Sequence, residues 1–126
     1  MTHILKPGKV PQRSEEDEQR SVAQYLDMRK DLLWCHVPNG GARNIVVGRK
    51  LKAQGVKPGV PDILIFNPPN NGYVGTAIEL KRRDGGSLQE SQIKWLKRLG
   101  DYGWDTNICH GSGQAIELIE RLYGRI

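Results

Sequence analysis

The sequence contains no apolar run of the length that a membrane span requires, which is roughly 18 or more consecutive apolar residues. Its N-terminus also lacks the apolar segment of a secretory signal peptide. Internal repeats and low-complexity segments are absent as well. We therefore expect a cytoplasmic protein without a membrane partner.

Cysteine is scarce: the two residues are Cys35 and Cys109, each within a short apolar stretch. This pattern predicts two buried thiols in a reducing compartment rather than a disulfide framework. Each cysteine precedes a histidine, His36 or His110. Neighbouring residues on a strand point to opposite faces, so each pair could give one ligand to a given metal. We therefore reject a structural zinc site.

The length and the charge favour one globular domain with an anionic partner. A chain of 126 residues leaves no room for a second independent core, and its hydrophobic fraction of 37% argues against wholesale disorder. The net charge of +5 favours a polyanion, most commonly nucleic acid. Residues 1–13 combine prolines and basic residues without periodicity, which predicts a flexible basic arm ahead of a domain at 14–126.

Hydrophobic spacing and turn residues predict an α/β fold. Ser14 is a good helix N-cap, and Gly55 can end a short basic helix. Helices are predicted at 14–30, 44–54, 88–101 and 113–123, and strands at 32–37, 62–66, 76–80 and 104–110. This order predicts a mixed sheet flanked by helices.

The strands on either side of the turn segment NPPNNG carry two acids and a lysine. If Asp62 faces Glu79 in an antiparallel pair, the midpoint falls between Asn70 and Asn71, at the centre of this turn signal. Opposed residues lie about 4.5–5.5 Å apart, so the two carboxylates repel unless a cation lies between them. A divalent cation prefers such oxygens. Lys81 lies on the same strand face as Glu79 and can reach the same point.

Two further polar residues are predicted on the inward faces of helices. Gln92 interrupts the apolar stripe of 88–101, and Glu15 lies within the apolar stripe of the first helix, with Glu18 as the alternative. Buried polar groups need partners, so these residues are candidates for the same site. The competing interpretation is that the charges on the two strands form an ordinary exposed sheet face.

Pro61–Asp62 followed by Glu79–Lys81 resembles the PD-(D/E)XK nuclease superfamily. The longer stretches PNGGAR, GVKPGVPDILI and AIELKRRDGGSLQESQIKWLKRLGDYGW resemble the virus-type replication-repair nuclease (VRR-NUC) family. The resemblance extends from about residue 14 to the end. It implies a restriction-endonuclease-like αβββαβ core, with 44–54 as an insertion, and Mg²⁺- or Mn²⁺-dependent hydrolysis of phosphodiester bonds.

The resemblance also implies residue roles. Asp62, Glu79 and the main-chain carbonyl of Leu80 would ligate the metal, and Lys81 would orient or help to deprotonate the attacking water. The implied catalytic set is Glu15, Asp62, Glu79, Lys81 and Gln92. Nearby basic and amide-rich residues are candidates for phosphate contacts, which position a nucleic acid without reading its sequence. They are Asn39, Gly40, Arg43, Lys57, Arg82 and Arg83, with Arg49, Lys50 and Lys52 as weaker candidates.

The function that we predict is a structure-selective DNA endonuclease. Members of the resembled family that stand alone are expected to form C2 homodimers, whose symmetry suits a Holliday junction. The resemblance suggests DNA repair in a virus or a mobile element as the setting. Two alternatives stay open: a nucleic-acid-binding module with an unused catalytic motif, and a sequence-specific restriction-type nuclease, for which no separate recognition region is visible.

Overall fold

The fold of this computed structural model is a five-stranded mixed sheet flanked by helices. The structure describes residues 2–4, 13–38 and 45–126, and in the last range it describes side chains from residue 48 onward. The strands are β1 (Thr2–Ile4), β2 (Trp34–His36), β3 (Ile63–Ile65), β4 (Thr76–Lys81) and β5 (Asp105–His110). The helices are α1 (Glu15–Met28), α2 (Ile45–Ala53), α3 (Glu90–Asp101) and α4 (Ser112–Tyr123). The predicted α/β class is therefore confirmed, with α2 inserted into an αβββαβ order.

The strand order is β1-β5-β4-β3-β2. Strands β2, β3 and β4 pair antiparallel, whereas β4 and β1 both pair parallel with β5. In the β3–β4 pair, Ile63 faces Ile78 and Ile65 faces Thr76. One further step of this register places Asp62 opposite Glu79. The pairing predicted from the turn segment is thus the one that the structure has.

The two faces of β4 serve different purposes. Ile78 and Leu80 belong to the hydrophobic core, which is closed by apolar residues of α1 and α4. Because side chains alternate along a strand, Glu79 and Lys81 point to the opposite face, where α3 lies. Helix α1 begins as predicted, since the Ser14 hydroxyl accepts a hydrogen bond from the Asp17 amide at 3.0 Å. No helix in the described part of the chain is long and apolar enough to cross a membrane.

Two sequence-based expectations need correction. Residues 2–4 belong to the sheet rather than to a flexible arm, because β1 pairs with β5 and the Thr2 and Thr106 hydroxyl oxygens lie 3.0 Å apart. Residues 5–12 of the predicted arm lie outside the described ranges. Cys35 is exposed, whereas Cys109 is buried as predicted. On the edge strand β2 it is Trp34 that packs against the core, so its neighbour Cys35 points away.

Candidate active site

The candidate site is built around Glu79, which is 2% exposed. Strand β4 holds this residue beside Lys81, which is also buried. Asp62, at the start of β3, is fixed next to them because the Leu80 amide donates a hydrogen bond to its Oδ2 at 2.6 Å. The structure therefore brings together the three charged residues that the sequence analysis singled out.

Gln92 connects this group to α3. Its Nε2 donates a hydrogen bond to Glu79 Oε2 at 3.0 Å, and its Oε1 accepts from Lys81 Nζ at 3.3 Å. The same Oε1 accepts from the Gln89 amide at 2.7 Å, which ties the side chain to the start of the helix. Lys81 Nζ lies 3.8 Å from Glu79 Oε2. The polar interruption predicted in the α3 stripe is therefore a partner of both strand residues.

A close backbone approach sets the position of α3 relative to the sheet. Gly59 has a φ of +90°, and a Cβ atom there would lie 2.4 Å from the Ser91 carbonyl carbon and 2.8 Å from the Gln92 amide nitrogen. Only glycine fits this contact and this conformation. The loop before β3 can therefore pack directly on the first turn of α3, which carries Gln92.

The site favours the protonated form of Glu79. Burial and the nearby Asp62 carboxyl group raise the pKa of Glu79 to about 9. The Lys81 ammonium acts in the opposite direction, and Glu15 adds a smaller increase in the pKa. Among the described residues, Glu79 Oε1 is buried without a hydrogen-bond partner. An electron-rich oxygen beside a second carboxylate is a donor set that suits a hard divalent cation.

The described residues contain no cluster of three or more His, Cys, Asp or Glu side chains placed to hold a metal. A cation at Asp62 and Glu79 would therefore need main-chain or water oxygens to complete its coordination. The Leu80 carbonyl, which the sequence resemblance implies as a ligand, belongs to that class.

A family model described as the VRR-NUC domain matches residues 13–113. The chain belongs to the VRR-NUC family. A solved structure titled "VRR_NUC domain protein" has a TM-score of 0.74 and 22% identity, covering 90% of this chain and 91% of that chain, and it confirms the fold. The sequence has no significant match among curated proteins. VRR-NUC is a nuclease domain, so the family points to DNA as the substrate.

The first-helix acid of this VRR-NUC domain differs from the prediction. Glu18, not Glu15, lies inward: it is fully buried and forms ion pairs with Arg13 at 3.1 Å and Arg83 at 2.7 Å. Glu15, which lies in the same first turn of α1, is exposed. Its charge nevertheless contributes to the raised pKa of Glu79.

Sequence reasoning missed the network around Glu18. The Ser112 amide and hydroxyl donate hydrogen bonds to Glu18 Oε1 at 3.2 and 3.0 Å, in addition to the pair with Arg83. Burial alone would raise the pKa of Glu18, but the bonds from Ser112 and Arg83 and the Arg83 charge lower it overall. Arg83 and Ser112 lie 65 and 94 residues away from Glu18 along the chain, so no local pattern could have indicated these two partners.

The residues predicted to contact nucleic acid have different surroundings. Lys57 is exposed, and Arg82 is exposed with its Nε 3.6 Å from Asp84. Arg83 is half-buried and held by Glu18, so it connects α1 to the turn after β4 rather than projecting freely into solvent. The weaker candidates Arg49, Lys50 and Lys52 are exposed on α2. The remaining three, Asn39, Gly40 and Arg43, lie outside the described residues.

Proposed function

We propose that this VRR-NUC domain is an Mg²⁺- or Mn²⁺-dependent endodeoxyribonuclease of the PD-(D/E)XK type that cuts branched DNA. The observation that supports it most directly is the buried Glu79, which lies between Asp62, Lys81 and Gln92 with an unsatisfied oxygen. A carboxyl group with a pKa near 9 is a poor structural element by itself. It becomes useful where a cation can replace its proton.

Asp62, Glu79 and the Leu80 carbonyl are the groups that would hold the metal ion. When bound, Mg²⁺ or Mn²⁺ would supply a Lewis acid and would lower the pKa of bound water. Gln92 holds the Glu79 carboxylate in one orientation through its Nε2. Lys81 keeps its ammonium at the same point through Gln92 Oε1, where it can orient the attacking water and offset charge on the phosphate. Glu15 remains a nearby acid.

The branched substrate and the homodimer are proposed on grounds of symmetry. One chain carries one Asp62–Glu79–Lys81 set, so two coordinated cuts need two copies. A C2 dimer presents two equivalent sites, and a four-way junction has the same two-fold symmetry. The net charge of +5 favours binding to such a phosphate-rich substrate. A Holliday junction is therefore the substrate that we propose to test first.

The test compares cleavage of a labelled four-way junction and of a linear duplex of matched sequence, with Mg²⁺, Mn²⁺ or EDTA. We expect metal-dependent cutting of the junction, and losses of at least about 100-fold in Glu79→Gln and Lys81→Ala, since charge stabilisation in the transition state is worth that much. Lys97→Ala is the matched control, because Lys97 is exposed on α3 and pairs with Asp101 instead.

Three other results would contradict parts of this proposal. Equal cutting of both DNAs would leave a nuclease and remove the preference for branched substrates. Binding without any cleavage would favour the nucleic-acid-binding module with an unused motif. Cutting at one defined sequence in linear DNA would favour the restriction-type nuclease.

A further inference from the structure

A groove of about 600 Å³ lies between α3 and the loop that precedes β3. The residues of α3 that line it recur every three or four positions from Ser91 to Tyr102, so they form one face of the helix. At 1.5 Å per residue this face is about 16 Å long. We call it the α3 groove and define it by Lys57, Lys94, Trp95, Arg98, Leu99 and Tyr102.

The charges of the α3 groove are of one sign. Lys57, Lys94 and Arg98 line it together with apolar, aromatic and hydroxyl side chains, and no acid is among the lining residues. Within the described ranges, none of these three cations forms an ion pair. Lys97 on the same helix does not line the groove, and its Nζ lies 3.5 Å from Asp101 Oδ2. The groove is therefore complementary to an anion.

The apolar part of the α3 groove offers aromatic rings to an occupant. Tyr102 is 71% exposed, and Trp95 is half-buried beside Leu99. Every nucleobase has a π face that can stack on such rings, and this contact tolerates any base. The bases of a duplex are already stacked on one another, so an aromatic side chain in a groove can reach them only where a strand is unpaired. Cations and rings together thus fit an unpaired strand better than a duplex.

The α3 groove begins at the candidate active site. Pro58 and Ser91 line the groove, and their chain neighbours Gly59 and Gln92 are in direct backbone contact. Gln92 in turn donates a hydrogen bond to Glu79. A strand that leaves the active site along α3 would therefore pass the three cations and the two rings.

We propose that the α3 groove binds an unpaired DNA strand that continues from the duplex held at the active site. The bases stack on Trp95 and Tyr102, and the phosphates contact Lys57, Lys94 and Arg98. This assignment rests on the proposed nuclease function and adds to it a strand-binding subsite outside the catalytic residues. Among branched DNAs, those with an unpaired strand at the branch are then bound most tightly.

The test measures binding in EDTA, without cleavage, to three labelled DNAs: a blunt duplex, the same duplex with a short unpaired extension, and the same extension built from abasic nucleotides. We expect the extended duplex to bind at least about tenfold more tightly than the blunt one, which is the size of one base stacked on one ring. The abasic extension should lose most of this gain. Tyr102→Ala should lose it as well, while Tyr102→Phe keeps the ring and the gain.

The cations have their own control. Lys94→Ala and Arg98→Ala should each weaken binding of the extended duplex and reduce the slope of log affinity against log salt by about 0.7, the value for one phosphate of a single strand. Lys97→Ala removes the same charge from the same helix outside the groove and should leave the extension preference unchanged. Equal effects of all three variants would overturn the assignment.

Two further outcomes would also overturn it: an extension preference that survives Tyr102→Ala, or a change of mass in light scattering caused by Tyr102→Ala, which would assign the groove to a second copy of the chain. The proposed function fails separately. An intact extension preference with no metal-dependent cleavage would discard hydrolysis and support the groove. Normal cleavage without any preference for the extended duplex would support hydrolysis and discard the groove.

Discussion

At the scale of single residues, Glu79 concentrates the chemistry of the site. Its carboxyl is buried, lies beside Asp62 and has one oxygen without a partner among the described residues. Each feature makes the ionised form less favourable in the absence of a cation. The residue therefore destabilises the folded protein at neutral and higher pH, and a bound cation would remove that cost.

This leads to a prediction for pH-dependent stability. The pKa of Glu79 is raised from its ordinary value of 4.5 to about 9, so between these values the folded state holds a proton that the unfolded state has released. Stability in EDTA must then fall as pH rises through this window, by at most about 1.4 kcal/mol per pH unit for one proton. Glu79→Gln stays neutral, so its stability advantage over the wild type should grow from pH 5 to pH 9.

Urea unfolding at pH 5, 7 and 9 measures this advantage. Glu90→Gln is the control, because Glu90 is an exposed acid at the start of α3 and should give parallel curves. Added Mg²⁺ should stabilise the wild type and leave Glu79→Gln unchanged, since only the former can exchange a proton for the cation. Parallel stability curves for wild type and Glu79→Gln would show that Glu79 is ionised in the folded protein.

The sequence predicted those contacts of the site that depend on a single turn, strand or helix. It did not predict the contacts between residues far apart along the chain. Asp62 and Glu79 are joined by one turn, and Lys81 and Gln92 follow from strand alternation and helix spacing. The ion pair of Glu18 with Arg83 could not be found in this way, because Arg83 comes from another part of the chain. A helical wheel shows only the angular position of Glu15 on α1. It does not show which part of the helix other elements cover, so it wrongly placed this residue in the interior.

At the scale of elements, the packing of the loop that precedes β3 on α3 decides the geometry of the site. Gly59 contacts Ser91 and Gln92 through backbone atoms alone, and Gln92 then bonds Glu79. The hairpin register could be predicted from its turn. The backbone contact of Gly59 with α3 could not be predicted, since a glycine in a segment such as KPGVP is equally typical of an exposed turn that contacts no other element.

We predict that Gly59→Ala weakens both folding and catalysis. The left-handed conformation costs a residue with a Cβ roughly 1–2 kcal/mol, and overpacking costs about 1–3 kcal/mol more, so we expect about 2–5 kcal/mol of lost stability. Relief of the clash must displace the first turn of α3, which should lower metal-dependent cleavage through Gln92. Unfolding by urea and cleavage of the junction measure the two effects.

Gly55→Ala separates the effect of backbone strain from the effect of displacing α3. Gly55 also has a positive φ, +103°, but a Cβ there meets nothing within 4 Å. This variant should lose about 1–2 kcal/mol from conformation alone and keep its cleavage rate. If Gly59→Ala cleaves DNA as well as Gly55→Ala does, the contact with α3 does not position Gln92.

At the scale of the whole molecule, the order of elements and the α/β class could be predicted because each element carries its own periodicity and end signals. Strand β1 could not, because three residues are too short to show an alternation and their partner β5 lies about a hundred residues away. The α3 groove also escaped prediction, since it forms between α3 and a loop that are separated along the chain.

The proposed homodimer makes a prediction that a monomer does not. A supercoiled plasmid with an extruded cruciform carries one four-way junction. Two sites in one dimer can cut both strands before the protein dissociates, which yields linear DNA, whereas a single site yields nicked circles that lose the cruciform. We therefore expect linear product from the wild type with Mg²⁺. A dimer of one wild-type and one Lys81→Ala subunit, co-expressed and isolated through two different tags, should give nicked circles instead.

Control experiments fix the interpretation of this product ratio. Lys97→Ala in one subunit should leave linear DNA as the main product, because it changes the charge equally without touching the active site. Nicked circles from the wild type itself, at protein concentrations where light scattering shows one chain, would mean that each cut is independent. The protein would then be a nuclease whose preference for branched DNA comes from its binding surface, and symmetry would contribute nothing to it.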